Sequence, residues 1–234
     1  MTINHIKKEL ESLGDPDMAS HSQSFFKTGP GEYGEGDLFR GIRVPRIRAI
    51  AKKFNYISIT QATELLSSEY HEDRFAALCI LIDIYTKSDI KIKKLVYQTY
   101  MQNMKHINNW DLVDVSAPNI VGNFLIDKDR KPLFKLAKSK DLWERRVSIV
   151  STFAFIRRSD LSDTYAIAEI LLHDSEDLIH KATGWMLREA GKRDIESEEL
   201  FLKKHCATMP RTMMRYAIEK FSQSKREMIL AGKF

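Results

Sequence analysis

Arg74-Phe75-Ala76-Ala77, Asp114-Val115-Ser116-Ala117, Arg146-Val147-Ser148-Ile149, Lys181-Ala182-Thr183-Gly184 and Arg215-Tyr216-Ala217-Ile218 fall into register when the chain is slid along itself. Their leading residues stand 40, 32, 35 and 34 positions apart. A helix–turn–helix repeat occupies a period in the thirties to low forties, and stacked repeats present equivalent positions along one surface. The spacing therefore predicts an all-α chain, a solenoid of HEAT-like helical repeats with this column on the concave side. The column reads Arg, Asp, Arg, Lys, Arg. Cations in a row suit phosphates, and the single carboxylate among them marks one point for chemistry.

Outward from the column, nearly every segment reads as helix and none alternates like a strand. Ile3, Ile6, Leu10 and Leu13 form an apolar stripe that stops at Gly14. A second helix is expected to open at Asp15-Pro16 and to carry Met18, Phe25 and Phe26. Gly29 to Asp37 holds four of the ten glycines and reads as a loop; no Gly-Lys-Ser/Thr follows, so it is not a phosphate-cradling P-loop. Pro45 opens a basic helix that runs to Phe54. Thr60, Ser88, Asn109, Ser162 and Ser175 are expected as N-caps, and Pro132 and Pro210 sit where first-turn prolines belong. Short connections between about ten expected helices leave no room for a long linker, so residues 1–234 are expected to form one domain.

Charged residues make up 29% of the chain, which argues against disorder and against membrane insertion. The longest apolar run, Phe75 to Ile82, is too short to cross a bilayer, and Met1 to Lys8 has no signal-peptide core. A soluble cytoplasmic protein with no membrane partner is expected. Net charge of +5 leans only weakly toward an anionic partner. Cys79 and Cys206 stand far apart without a CxxC pair and are expected as buried, reduced thiols, with no metal site.

Trp110 and Asp114 are four residues apart and share a helical face. Asp111 lies about 100° off that face and is expected to support the helix N-terminus. Lys181, Trp185 and Arg188 share a face on a later helix, whereas Trp143 is assigned to the core. Taken singly, each of these residues has a plain reading: a core tryptophan, a structural ion pair, a solvated basic face. The common register makes the combination more specific than its parts.

Asn109-Trp110-Asp111-Leu112-Val113-Asp114, Leu142-Trp143-Glu144-Arg145-Arg146-Val147 and Lys181-Ala182-Thr183-Gly184-Trp185-Met186-Leu187-Arg188-Glu189 resemble the AlkD-type DNA alkylation-repair glycosylases. The resemblance implies a right-handed superhelix of HEAT-like repeats whose basic concave face holds double-stranded DNA. It implies hydrolysis of the N-glycosidic bond of cationic N3- and N7-alkylated purines, with no metal or cofactor and without base flipping. By matching motif, Asp114 would be the catalytic carboxylate, with Trp110 and Trp185 against the deoxyribose. Arg146 would hold DNA backbone, supported by Lys181 and Arg188; Arg74 and Arg215 extend the row of DNA-binding cations. Family members carry an early aromatic near the lesion, for which Phe25 and Phe26 are the candidates. Asp177-Leu178 stands where an active member has two aromatics. A monomer is expected.

The chemistry suits these residue types. An alkylated purine already bears positive charge and leaves as a neutral base, so the reaction lacks only stabilisation of the oxocarbenium-like sugar and an oriented water. A carboxylate about 4 Å from a developing unit charge contributes roughly 4 kcal/mol at an effective dielectric near 20. That is nearly three powers of ten in rate. Indole faces add about 0.5–2 kcal/mol each. Two other classes stay open: a DNA binder without catalysis that recognises bent, branched or damaged duplex, and a scaffold for a protein partner.

Overall fold

A computed structural model of the protein describes residues 3–233; Met1, Thr2 and Phe234 lie outside the described residues. Helices carry its regular structure, and the extended pairing among the described residues is one isolated parallel bridge from Leu38 to Tyr70. The all-α expectation holds. The chain divides into two compact units that meet in sequence at Ser116 and Ala117.

The first unit contains α1 (Ile3–Glu11), α2 (Pro16–Phe25), α3 (Val44–Lys53), α4 (Ile59–Leu66), α5 (His71–Lys87), α6 (Ile90–Gln102) and α7 (Trp110–Ser116). α5 is its centre and packs on α3, α4, α6 and α7. Surrounded in this way, it has no polar stripe along its middle: Phe75 through Leu78, Ile80 and Leu81 are all buried. Fully burying each leucine or isoleucine contributes about 1.5–3 kcal/mol. α1 buries Ile3, Ile6 and Leu10, three of the four stripe residues expected.

The second unit opens with a π-turn over Pro118–Gly122 and continues through α8 (Asn123–Leu125), α9 (Lys131–Leu136), α10 (Leu142–Ser151) and α11 (Phe153–Ile156). It is completed by α12 (Ser162–Ile170), α13 (Asp177–Gly191), α14 (Ile195–His205), α15 (Arg211–Ala217) and α16 (Gln223–Leu230). α13 is the central helix here, packed on α10, α12, α14 and α15. Gly184 lets α15 close directly onto its backbone: a Cβ at that position would lie 2.3 Å from the Met213 carbonyl oxygen and 2.6 Å from the Tyr216 Cβ.

The repeat register read from the sequence coincides with helix register. Arg74 is the fourth residue of α5, and Asp114, Arg146, Lys181 and Arg215 are each the fifth residue of α7, α10, α13 and α15. Several caps lie a residue or two from where they were expected. Ser58 replaces Thr60 by forming a capping box with Gln61, and Asp89 replaces Ser88 by accepting from the amides of Lys91 and Ile92. A carboxylate one residue downstream both reaches the free amides and complements the helix dipole, so it outcompetes a hydroxyl. Ser162 is the first residue of α12, and Glu176 rather than Ser175 precedes α13.

Candidate nucleic-acid interface and catalytic face

α7 buries Leu112, Val113 and Ser116, which leaves Trp110 and Asp114 half-buried on its other side. Asp114 neighbours the phenol of Tyr100, which donates to or accepts from Ser116 Oγ at 3.0 Å. Burial pushes the Tyr100 phenol up, and the Asp114 charge adds to that, so the phenol stays protonated. The base of the carboxylate's surroundings is thus a neutral hydrogen-bonded pair.

Trp110 belongs to an aromatic cluster that the sequence only hinted at. Its ring stacks on Phe26, with centroids 5.2 Å apart and planes at 18°, and meets Phe25 edge-on at 6.1 Å. Phe26 stacks in turn on Phe39 at 5.0 Å, and Phe39 on His71 at 4.5 Å. Both early-helix candidates therefore adjoin Trp110. Phe25 is 57% exposed and forms the outer edge of the cluster.

Beneath the rings lies a buried polar network that sequence reasoning missed. His71 Nδ1 lies 2.9 Å from Asp37 Oδ2, and its Nε2 lies 2.8 Å from Asp111 Oδ2. Two ionised carboxylates can only accept, so both ring nitrogens must carry hydrogens and His71 is an imidazolium. Burial alone would lower its pKa, but the Asp111 charge and hydrogen bond, joined by Asp37, raise it to about 9. Burial works to raise the Asp37 carboxyl, yet its hydrogen bond to His71 and the Arg74 charge hold it below the ordinary carboxylate range. Asp111 also accepts from the Leu112 amide at 2.8 Å, so its expected place at the helix N-terminus is joined by a second task.

His71-Glu72-Asp73-Arg74 is buried throughout. Glu72 accepts from the amides of Arg40, Gly41 and Ile42 at 2.8–3.1 Å, and Asp73 pairs with Arg40 and accepts from Ser68. One available signal was four consecutive ionisable residues leading straight into the apolar run Phe75–Ile82. A helix covered on all sides must bury its polar entrance too, and buried charges require partners. Arg74 is corrected on this ground. Expected in the phosphate row, it is 4% exposed, pairs with Asp37 and donates to the carbonyls of Ser68 and Glu69.

In the second unit, Trp185 is half-buried on α13 with its ring 5.8 Å from that of Phe153. The exposed Arg157 lies 4.3 Å over Phe153, a cation that the column did not include. Lys181 and Arg188 share the partly open side of α13 with Trp185, while Ala182, Thr183, Gly184, Met186 and Leu187 are buried. Lys181 pairs with Asp177 at 2.7 Å, and Arg188 pairs with Glu219. Asp177 is held below its ordinary pKa, chiefly by that hydrogen bond from Lys181. Arg146 is only 5% exposed and donates to the Leu178 carbonyl at 2.7 Å, at the head of α13. Arg215 is exposed, and Trp143 is in the core as expected.

Among the described residues, no group of three or more His, Cys, Asp or Glu side chains is arranged to hold a metal ion. Among the described residues, no helix is long and apolar enough to cross a membrane. Both cysteines are free thiols, half-buried rather than fully buried, and burial raises the Cys79 pKa to about 11.

The model of the DNA alkylation repair enzyme family matches residues 6–221, and the chain belongs to that family. Its fold is similar to a solved structure described as a predicted DNA alkylation repair enzyme from Enterococcus faecalis. The two share 16% sequence identity with a TM-score of 0.70, over 90% of this chain and 98% of the other. Among curated proteins, none matches the chain.

Proposed function

We propose that this protein is a monofunctional DNA glycosylase that hydrolyses the N-glycosidic bond of cationic N3- and N7-alkylated purines in duplex DNA. It acts as a monomer, without metal and without flipping the base. The observation that carries this reading is α7, where Trp110 and Asp114, four residues apart on one helical face, are both half-buried rather than packed into the core. Membership in a DNA alkylation repair family supports it.

In this mechanism Trp110, backed by Phe26, offers its face to the deoxyribose, and Trp185, backed by Phe153, offers an indole face of its own to DNA. The C1′–N bond breaks with its electron pair passing to the alkylated base, which departs neutral. Asp114 stabilises the positive charge that develops on the sugar and orients the water that attacks C1′. The proton lost from that water passes to the carboxylate and then to solvent. Lys181, Arg188 and Arg215 meet backbone phosphates, and Arg146, which donates to the Leu178 carbonyl at the head of α13, supports that row. Arg74 has no part in that contact, because its guanidinium is engaged internally.

Release of free base from duplex containing 7-methylguanine tests the reading, comparing wild type with Asp114→Asn at saturating DNA. The variant keeps shape and loses charge, so release should drop about a thousandfold with DNA affinity unchanged. Undiminished release by the variant would make the carboxylate structural. Binding by both proteins with release by neither would leave a DNA binder that does not excise this lesion.

A further inference from the structure

His71 sits among the groups that tie the rest of the first unit to the head of α7. α7 begins at Trp110, and the residues on either side of Trp110 are both tied down. Asn109, fully buried, accepts from the Trp110 amide at 2.8 Å and donates to Asp37 Oδ2 at 3.4 Å. Asp111 bonds to His71 Nε2. Asp37, at the end of the glycine-rich loop, bonds to His71 Nδ1. The ring of His71 lies against Phe39 and, at 5.0 Å, Phe26, and Phe26 is the platform on which Trp110 stacks. One imidazolium thus joins the loop, the start of α7 and the ring stack.

We propose that His71, clamped between Asp37 and Asp111, is a positioning residue that holds Trp110 and Asp114 in their working geometry only while the imidazolium is charged. This rests on the glycosylase reading for its consequence in catalysis, though not for the coupling itself. Losing the proton would leave the buried Asp37 and the partly buried Asp111 facing one remaining N–H, so one of the two ties must let go. The freed side is then the loop end at Asp37 or the α7 start at Asp111, and either loosens the seat of Trp110. The charged groups that face His71 are Asp37 from the loop, Asp111 from α7 and, through Asp37, Arg74 from its own helix; Phe26 and Phe39 supply the apolar walls. An imidazolium against two aromatic faces is further favoured by cation–π attraction.

The test combines two readouts on wild type, His71→Gln and Asp111→Asn. The first is ¹⁹F NMR of 5-fluorotryptophan-labelled protein between pH 6 and 10, with the Trp110 signal identified by Trp110→Phe. The second is the single-turnover rate of base release over the same range. In wild type both should hold steady through neutral pH and change together around pH 9. Asp111→Asn keeps an acceptor for Nε2 but removes one of the two charges. Its Trp110 signal and its release rate should therefore match wild type at pH 6 and change at lower pH than wild type. His71→Gln should show no titration of the Trp110 signal and about tenfold or greater loss of rate, with DNA affinity within threefold. A Trp110 signal that ignores pH in wild type, or an alkaline limb at the same pH in wild type and Asp111→Asn, overturns the proposal. Should wild type release no base while the Trp110 signal follows His71, the glycosylase reading fails and the coupling stands. If His71→Gln does not fold, the displaced limb of Asp111→Asn decides.

Discussion

Glu198→Gln should make the protein more stable, and only above acid pH. Glu198 is 2% exposed on α14, and its Oε1 is buried without a hydrogen-bond partner. Its other oxygen lies flush against the backbone of Gly191, where a methyl group would come within 1.6 Å of it. Burial, with the charge of Glu199 adding to it and Arg188 opposing, pushes the carboxyl pKa up from 4.5 to about 8. The folded state therefore binds this proton more tightly than the unfolded chain does. Below about pH 4.5 both states are protonated and the group costs nothing. Between 4.5 and 8 the unfolded state gains by ionising, so stability falls as pH rises, and above 8 the deficit is complete. The slope is about 1.4 kcal/mol per pH unit, so the deficit is roughly 3 kcal/mol at pH 7. Glutamine keeps the size and cannot ionise. Urea denaturation of both proteins from pH 4.5 to 9 should give curves that coincide at the acid end. They should then diverge with that slope, the variant being the more stable, and run parallel above pH 8. A stability difference that stays constant across the window would refute the reasoning, because it would mean that Glu198 ionises alike in both states.

Three further outcomes follow from the packing and the ion pairs. Gly184→Ala places a methyl group against the α15 backbone and should cost about 1–3 kcal/mol, visible as a lowered Tm. Glu72→Ala strips the acceptor from the amides of Arg40, Gly41 and Ile42, and should destabilise by about 2–4 kcal/mol in urea titrations. Arg215→Ala and Arg74→Ala, equivalent in the repeat, should separate. The first lowers the salt dependence of duplex binding by about one counterion with Tm unchanged, and the second lowers Tm by removing the guanidinium partner of the buried Asp37.

Much of the functional reading was open to inspection in the chain because it depends on local regularities. Trp110 and Asp114 share a face through the helical period, which operates over four residues and needs no tertiary knowledge. The column from Arg74 to Arg215 became visible because repeated units place equivalent residues at the same turn of each helix. The cap positions slipped by a residue or two for an equally local reason. Neighbouring serine and aspartate compete for the same free amides, and only the backbone path settles which one reaches them.

What the chain could not reveal depends on solvent and on distance in sequence. Arg74 and Arg215 occupy the same repeat position, yet one is buried against Asp37 and the other is exposed. Periodicity assigns a residue to a side of its helix; whether that side meets water is decided by the elements packed over it. The clamp on His71 closes across 34 residues to Asp37 and 40 to Asp111, and no local pattern encodes such a pairing. The sequence by itself thus determined the helices, their repeat and the residues that share a face. Tertiary structure alone decided which of those residues stay open for chemistry, because burial and long-range charge pairing exist only once the chain has folded.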